Sequence, residues 1–514
     1  MNGAETLVKT LLGNGVDICF ANPGTSEMHF VAALDEHPEM RCVLCLFEGG
    51  ATGAADGYYR MKQDVAATLL HLGPGLGNGL ANLHNARKAR SGIVNIVGDH
   101  ADYHLKYDSP LKGNLDGISE AISHWTRRAT NAASVAGDGA AAVQAARARG
   151  GQIATLILPA NTAWDEAGDA AAALVPVPLK RPDKDQIVSA AGALRVPGAA
   201  LFIGQTALHG RLARLAGSIA ARTGCELMAD FLVPRIERGA GAVALTRLKY
   251  PIDDNVALLK NTRHLVLCGA KRPVAFFAYP GKPGTPEPEG CRITELCTPD
   301  MDYGWTLEAL ADELGVGPTD QPSVVSSALP DVPTGSLTLE KTGAALAALL
   351  PDNAIIVDES VTSSSPLVEA TRAARRQEWL HVAGGAIGSG LPCAVGAALA
   401  CPERKTVCLT GDGSAMYTVQ SLWTMARENL DVVTIVFANR GYQILHLELA
   451  NVGVDQAGRN AGRMFDVDNP ALDWVALANG HGVAAECVSD MDGFVAALRK
   501  GLATRDPYLI EVIC

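Results

Sequence analysis

Three doubly wound α/β domains are what this sequence predicts, on three observations. Apolar runs of strand length alternate with segments of helical spacing almost throughout, the pattern of parallel sheets covered by helices. Two stretches break that rhythm: VPVPLKRPDKD, Val175–Asp185, and GPTDQPSVVSSALPDVPTG, Gly317–Gly335, both Pro-rich and poorly periodic. They divide the 514 residues into blocks of ordinary domain size, 1–175, 186–320 and 336–514.

The chain opens with a short amphipathic helix, Gly3–Leu12, then a strand, and lacks the charged region and apolar core of a signal peptide. RCVLCLF, Arg41–Phe47, reads as a strand leading into Glu48 and a run of small residues, GGATGAADG. GDGAAAVQAARARGG, Gly137–Gly151, is Ala-rich because Ala favours helix. In the middle block AALFIGQTALHGR, Ala199–Arg211, reads as a strand without a full dinucleotide glycine fingerprint. In the third block the strands Lys405–Thr410 and Val432–Ala438 bracket a helical segment, Thr418–Glu428, with Val419, Leu422, Trp423 and Ala426 on one face.

Composition removes some function classes. Hydrophobic residues make up 48%, enough for large cores, and a net charge of −12 with no basic run argues against a nucleic-acid partner. No unbroken apolar stretch is long enough to span a membrane. The twelve cysteines have apolar neighbours, and the CxxC of Cys42 and Cys45 has no second pair at zinc spacing. They read as packing residues in a reducing, cytoplasmic compartment.

The βαβ unit of the third block carries the chemistry. Its first strand ends in Gly411-Asp412-Gly413, its second in Asn439-Arg440-Gly441. In such a unit both strands end at one sheet edge, where ligands of open α/β sheets bind. A carboxylate, an amide oxygen and a loop carbonyl together suit Mg²⁺, which keeps few protein ligands and completes its shell with phosphate oxygens and water. The helix after Gly413 aims its N-terminus at the same place, favouring a phosphate there. Alone, the turn could equally be a mere connection.

GDGSAMYTVQSLWTMARENLDVVTIVFANRGY, Gly411–Tyr442, resembles the thiamine diphosphate motif. The resemblance implies that Asp412, Asn439 and the Gly441 carbonyl hold Mg²⁺, and that Gly413, Ser414 and Tyr442 lie beside the diphosphate. Many members carry Asn-Asn where this chain has Ala438-Asn439; the first Asn is usually not the ligand. LFEGGATGAADGYYR resembles the family's Glu-then-ADGYAR segment and assigns Glu48 to the aminopyrimidine ring. GGAIGSGLPCAVGAALACPERK, Gly384–Lys405, resembles the segment supporting the bent cofactor, with the Gly385 carbonyl accepting from the amino group and Ile387 wedged between the rings. VDESVTSSSP gives Thr362 as a diphosphate contact. The match covers nearly the whole chain, as pyrimidine-binding, central Rossmann-like and diphosphate-binding domains. It implies a homodimer or homotetramer in which Glu48 serves a cofactor held by the partner subunit.

Within the family the chain is similar to benzoylformate decarboxylase and to acetolactate synthase large-subunit proteins. ANPGTSEMHF places Thr25 where the decarboxylase contacts the substrate carboxylate, and LLHLGPGLGNGLANLHNARKA places His71 at its catalytic His. PVAFFAYPGKPG puts Phe277 in place of its second catalytic His. The implied reaction is cleavage or formation of a carbon–carbon bond in a 2-oxo acid or acyloin. Alternatives are an acetolactate synthase making 2-acetolactate from pyruvate, for whose FAD site the chain is short, and a regulatory homologue that binds cofactor without turnover. An accessory dehydrogenase-like subunit ranks last. The polar loop GDHADYHLKYD, with His100 and His104, and the pair Arg127 and Arg128 read as structural or interface residues.

Overall fold

The computed structural model describes residues 1–514. It contains three sheets. The first has six parallel strands in the order Arg41–Leu44, Ile18–Asn22, Ala66–Leu70, Ile93–Asp99, Ile153–Pro159, Trp125–Arg128. The second has five, in the order Thr246–Arg247, Glu226–Ala229, Ala199–Ile203, His264–Cys268, Arg292–Cys297, again parallel. The third has seven: Ala484–Val488, Tyr508–Ile513, Val432–Ala438, Thr406–Gly411, Ala354–Glu359, Gln377–His381 and Ile236–Arg238. The central strands are buried along their whole length, for example Ile93–Asp99 and Val432–Ala438, because helices cover both faces.

Two elements differ from the sequence reading. Ile236–Arg238 comes from the middle block yet pairs antiparallel with Gln377–His381 at the edge of the third sheet. The helix read over Thr418–Glu428 is shorter, Ser421–Arg427, and a one-turn helix Asp412–Ala415 and a 3₁₀ turn Met416–Thr418 stand before it. The end of that turn is pinned by the Thr418 hydroxyl, which donates to the Gly388 carbonyl at 3.0 Å. The opening helix runs Gly3–Gly13, capped reciprocally by Asn2 and Glu5.

The first and third sheets are joined by two helices in near backbone contact, Glu48–Lys62 and Gly390–Ala400. A Cβ at Gly396 would lie 1.9 Å from the Ala54 carbonyl oxygen, and one at Gly57 2.1 Å from that of Cys393, so only hydrogen fits at either place. Arg60, on the first of these helices, is ion-paired with buried Asp56 and donates to the His381 carbonyl at 2.7 Å. Arg235 ties in the middle block. Its guanidinium donates to the Arg60 and Met61 carbonyls and pairs with Glu378 at 2.7 Å. All twelve cysteines are unpaired, and no helix is long and apolar enough to cross a membrane.

Each block holds an imidazole that is at least partly desolvated: His381 is buried, His209 half-buried and His124 nearer the surface. His124, His209 and His381 are all pushed down to about 4, first by burial and then by arginines: Arg87, Arg235 and Arg247 respectively are the foremost. They fold neutral, whereas in the unfolded chain each takes a proton below about pH 6.5. Their contribution to stability is therefore complete above that pH and is lost as pH falls towards 4. Urea titrations between these limits are expected to show a pH slope that His209→Gln flattens by up to about 1.4 kcal/mol per pH unit. An unchanged slope would mean that His209 is charged in the fold.

Candidate active site

Residues marked by the sequence fall on the carboxyl edges of two sheets. At the third sheet, Asp412 follows Thr406–Gly411 and is buried. Its Oδ1 accepts from the Gly413 amide at 2.8 Å and its Oδ2 from the Arg440 amide at 2.9 Å. The second bond spans the two strand ends and brings the GDG turn against Asn439-Arg440-Gly441. Arg440 adopts a left-handed conformation, φ 56°, which lets the Asn439 Oδ1 accept from the Gly441 amide at 3.2 Å. The Val467 amide donates to the Arg440 carbonyl and the Tyr442 amide to the Phe465 carbonyl, both at 2.8 Å, so Gly441 is pinned between them.

Burial raises the Asp412 carboxyl, against the pull of the Gly413 and Arg440 amides. A desolvated carboxylate whose only partners are neutral amides suits a hard cation, with the Asn439 amide oxygen and the Gly441 carbonyl completing an all-oxygen donor set. One carboxylate is not a metal cage, and no group of three His, Cys, Asp or Glu in the chain is placed to hold a metal ion. The set fits a Mg²⁺ ion whose remaining ligands are diphosphate oxygens and water. Beside it, a Cβ at Gly413 would meet the Tyr442 ring at 2.5 Å, and Ser414 is buried. Thr362 sits in the 3₁₀ turn Val361–Ser363. There Val361 has φ 47°, a costly conformation for a β-branched residue.

Sequence reasoning missed what holds that turn. Asp358 Oδ1 accepts from the Ser360 hydroxyl at 2.6 Å, and Oδ2 from the Ser364 hydroxyl at 2.5 Å. Burial opposes ionisation of Asp358, but His381 foremost, and then these hydroxyls, hold it down at about 2. The neighbouring Glu359, fully buried, takes the Ser389 amide at 2.7 Å and so fixes the segment that carries Gly385 and Ile387. Gly385 has φ 76°, and its Cα faces the ring of Phe276: a Cβ there would lie 2.9 Å from Cζ. Phe276, not Phe277, is the aromatic residue of the middle block that meets Gly385; Phe277 packs edge-on behind it, more exposed. Counting from the following Pro-Gly gave no way to separate these neighbours.

At the first sheet, Glu48 begins the helix Glu48–Lys62 and is buried, its Oε2 accepting from the Asn78 amide at 2.9 Å. His71 follows Ala66–Leu70, and Leu72 after it is forced to φ 50°. The His71 Nδ1 lies 2.9 Å from Oε2 of buried Glu27 and 3.2 Å from the Ser26 hydroxyl. Glu27 also accepts from the Gly24 amide at 2.7 Å. Both partners need glycine: a Cβ at Gly24 would strike the His71 ring, and one at Gly98 would lie 1.9 Å from the Glu27 carboxylate. Thr25 is exposed on the same turn, and the side chains that reach His71 are those of Ser26 and Glu27. The only sequence signal for Glu27 was its place three residues after Gly24, where a carboxylate turns back onto a helix-start amide.

Residues 1–120 match the thiamine pyrophosphate enzyme N-terminal TPP binding domain, and residues 362–512 match the C-terminal TPP binding domain. The chain belongs to the thiamine pyrophosphate enzyme family. Thiamine pyrophosphate is thiamine diphosphate, so its cofactor is the one the two sheet edges suggest. Among relatives of this enzyme, a protein of Mycobacterium tuberculosis (strain ATCC 25618 / H37Rv) named "Putative acetolactate synthase large subunit IlvX" is 48% identical, over 100% of this chain and 99% of its own. The benzoylformate decarboxylase of Pseudomonas aeruginosa is 27% identical, over 97% and 96%. The same fold recurs in two solved structures, each covering 100% of this chain and 99% of the other. A Rhodococcus jostii RHA1 thiamine diphosphate-dependent 4-hydroxybenzoylformate decarboxylase gives a TM-score of 0.84 at 24% identity. A Polynucleobacter necessarius benzoylformate decarboxylase gives 0.84 at 22%.

Asp412→Ala is expected to abolish tight, Mg²⁺-dependent thiamine diphosphate binding while the fold survives, because the diphosphate charge loses its compensation. Cofactor titration of the apoprotein, with circular dichroism as the folding control, reads both. Unchanged affinity would remove Asp412 from the metal site.

Proposed function

We propose that this enzyme is a thiamine diphosphate- and Mg²⁺-dependent carbon–carbon lyase or ligase acting on 2-oxo acids or acyloins, of the benzoylformate decarboxylase kind. The observation that carries the reading is the His71–Glu27 pair, an imidazole oriented by a buried carboxylate at the sheet edge that also presents Glu48. Asp412, Asn439 and the Gly441 carbonyl would hold Mg²⁺. Thr362, Gly413, Ser414 and Tyr442 would hold the diphosphate, and Gly385 and Ile387 the rings. When bound, thiamine diphosphate supplies an electron sink for the bond that breaks beside a carbonyl.

The protein's own groups manage protons. Glu48 would hold a proton at the aminopyrimidine nitrogen, a task suited to a carboxyl kept from water. Glu27, accepting at Nδ1, places the His71 proton there and leaves Nε2 to take or return one at the substrate. Ser26, whose hydroxyl already reaches this pair, joins Thr25 as a candidate to receive the substrate carboxylate. The Phe276 ring over Gly385 offers an apolar wall where a polar relay would accept a small substrate, which favours apolar substituents.

Glu48 bonds within its own block, to Asn78. Around the cofactor turns, Met416, Tyr417, Leu445 and Met464 are exposed apolar side chains. Both features support a homodimer or homotetramer in which each Glu48 serves the cofactor of the partner subunit. Twelve unpaired cysteines, most of them buried, support a cytoplasmic setting. A second reading, synthesis of 2-acetolactate from pyruvate, is favoured by the name of the Mycobacterium tuberculosis relative.

Two measurements test the proposal. Glu48→Gln is expected to bind cofactor yet slow proton exchange at its thiazolium C2 by about 10²-fold or more, followed by NMR without substrate; exchange at the wild-type rate would leave Glu48 a structural role. Among 2-oxo acids, substrates larger than pyruvate are expected to give the higher kcat/KM, and His71→Ala to lose turnover with cofactor affinity unaltered. If pyruvate alone gave acetolactate more efficiently than every larger acid, the synthase reading would replace this one.

A further inference from the structure

The wall residue Phe276 does not stand alone. Its ring packs on Tyr250, centroids 5.2 Å apart, and Tyr250 in turn packs on Phe231 at 5.8 Å. The Tyr250 hydroxyl donates to Glu448 Oε1 at 2.7 Å, and the Tyr279 hydroxyl donates to the same oxygen at 3.1 Å. Glu448 lies on the helix Gln443–Asn451, which starts directly after the turn that carries Asn439, Gly441 and Tyr442. No residue of this helix is fully buried, so little apolar packing anchors it. One turn on, Asn451 Oδ1 accepts from the Lys282 ammonium at 3.4 Å, and Lys282 also pairs with Asp253 at 2.8 Å. The helix is thus fastened to the middle block along one face, at positions three residues apart. Burial and the Glu448 carboxylate both raise the Tyr250 phenol, which stays a donor across the physiological range.

We infer that Glu448 is a positioning residue for substrate size: by gathering the Tyr250 and Tyr279 hydroxyls on one carboxylate oxygen, it sets the depth at which the Phe276 ring lies over Gly385. This rests on the reading of the enzyme as one acting on 2-oxo acids. The geometry gives the chain of contact in full. Glu448 holds Tyr250, Tyr250 backs Phe276, and Phe276 faces the backbone that would carry the aminopyrimidine. A hydrogen bond to a charged acceptor is stronger than a neutral one, and here two phenols share it. Loss of the acceptor frees Tyr250 to turn and Phe276 to follow. The wall then stops discriminating between a methyl and a phenyl substituent, while the ligands at Asp412 and Asn439 keep their own backbone partners.

The test uses the full-length holoenzyme, loaded with thiamine diphosphate and Mg²⁺. Its probes are two acylphosphonates, analogues of 2-oxo acids that cannot lose carbon dioxide, one bearing a methyl and one a phenyl group. Wild type is expected to prefer the phenyl analogue. Glu448→Ala is expected to shrink the ratio of the two dissociation constants about tenfold, the loss of about one charge-assisted hydrogen bond. Glu448→Gln, which keeps an acceptor oxygen, is expected to restore most of it, and cofactor affinity is expected to stay within about threefold throughout. Phe276→Ala is expected to reduce the ratio in the same sense, since it removes what Glu448 positions. A ratio unchanged in Glu448→Ala overturns the inference, and so does a loss of cofactor affinity with the ratio intact, which would assign Glu448 to the metal turn. Failure of the parent reading looks different: loaded wild type binds neither analogue. In that event amide hydrogen exchange of residues 443–451 still decides the clamp, with faster exchange in Glu448→Ala supporting it and equal exchange ending it.

Discussion

Everything at the two sheet edges depends on a steric constraint between two helices. Glu48–Lys62 and Gly390–Ala400 approach so closely that Gly57 and Gly396 face carbonyl oxygens with no room for a methyl group. Close backbone approach maximises contact per residue and leaves no slack for sliding, since interiors pack at crystal density. The consequence is positional. Glu48 is the first residue of one helix, and the Gly384–Ser389 segment leads directly into the other. The same contact thus sets both the Glu48 carboxyl, proposed to handle a proton, and the backbone that would carry the cofactor rings. Asn82 and Asn85 extend the joint: Asn82 donates to the Gly49 and Gly388 carbonyls, and Asn85 exchanges two hydrogen bonds with Ala386.

Upon this frame the protein places buried carboxylates at strand ends and gives each a different set of donors. Asp412 has two backbone amides, Glu359 an amide and hydroxyls, Asp358 two serine hydroxyls and a histidine, Glu27 an amide, a hydroxyl and an imidazole. Burying a carboxylate is costly unless such donors replace water. The donor sets divide the work. Where the partners are serine hydroxyls, as at Asp358, the carboxylate is saturated locally and serves to hold a turn. Where the partners are only flanking amides, as at Asp412, negative charge remains to be balanced, and a cation is the natural complement.

Local sequence placed the proposed cofactor residues at the strand ends where the structure has them. Gly411-Asp412-Gly413 and Asn439-Arg440-Gly441 are turn chemistry set at strand ends, and both the strands and the turn residues announce themselves within a few positions. Glu48 was legible for the same reason, as the polar break between an apolar run and a small-residue helix. What escaped depends on contacts far apart in the chain. Glu27 matters because a glycine 71 positions later, Gly98, leaves space for it. Phe276 and Phe277 are adjacent and chemically identical, and only the approach of Gly385 separates them. The strand Ile236–Arg238 is too short to declare its sheet, and its partner lies beyond the second linker. The later start of the helix after Asp412 escaped for the same reason, since the Thr418 hydroxyl is held by the Gly388 carbonyl, 30 positions away.

The middle block is where the fold leaves the proposed substrate wall adjustable. Its sheet contributes none of the metal or diphosphate candidates, yet the block touches the other two in several ways. Arg235 bonds the end of the Glu48 helix, Ile236–Arg238 extends the third sheet, and Phe276 lies over Gly385. The first two are backbone-directed and rigid. The third is a side chain on an irregular segment between the strands His264–Cys268 and Arg292–Cys297, free of the register that constrains strand residues. A substitution at such a position alters the wall without disturbing the helix joint or the carboxylates at the strand ends. The arrangement separates the candidate metal and ring-binding groups, which are locked by backbone contact, from the proposed substrate wall, which hangs on side-chain packing and on one carboxylate in a lightly anchored helix.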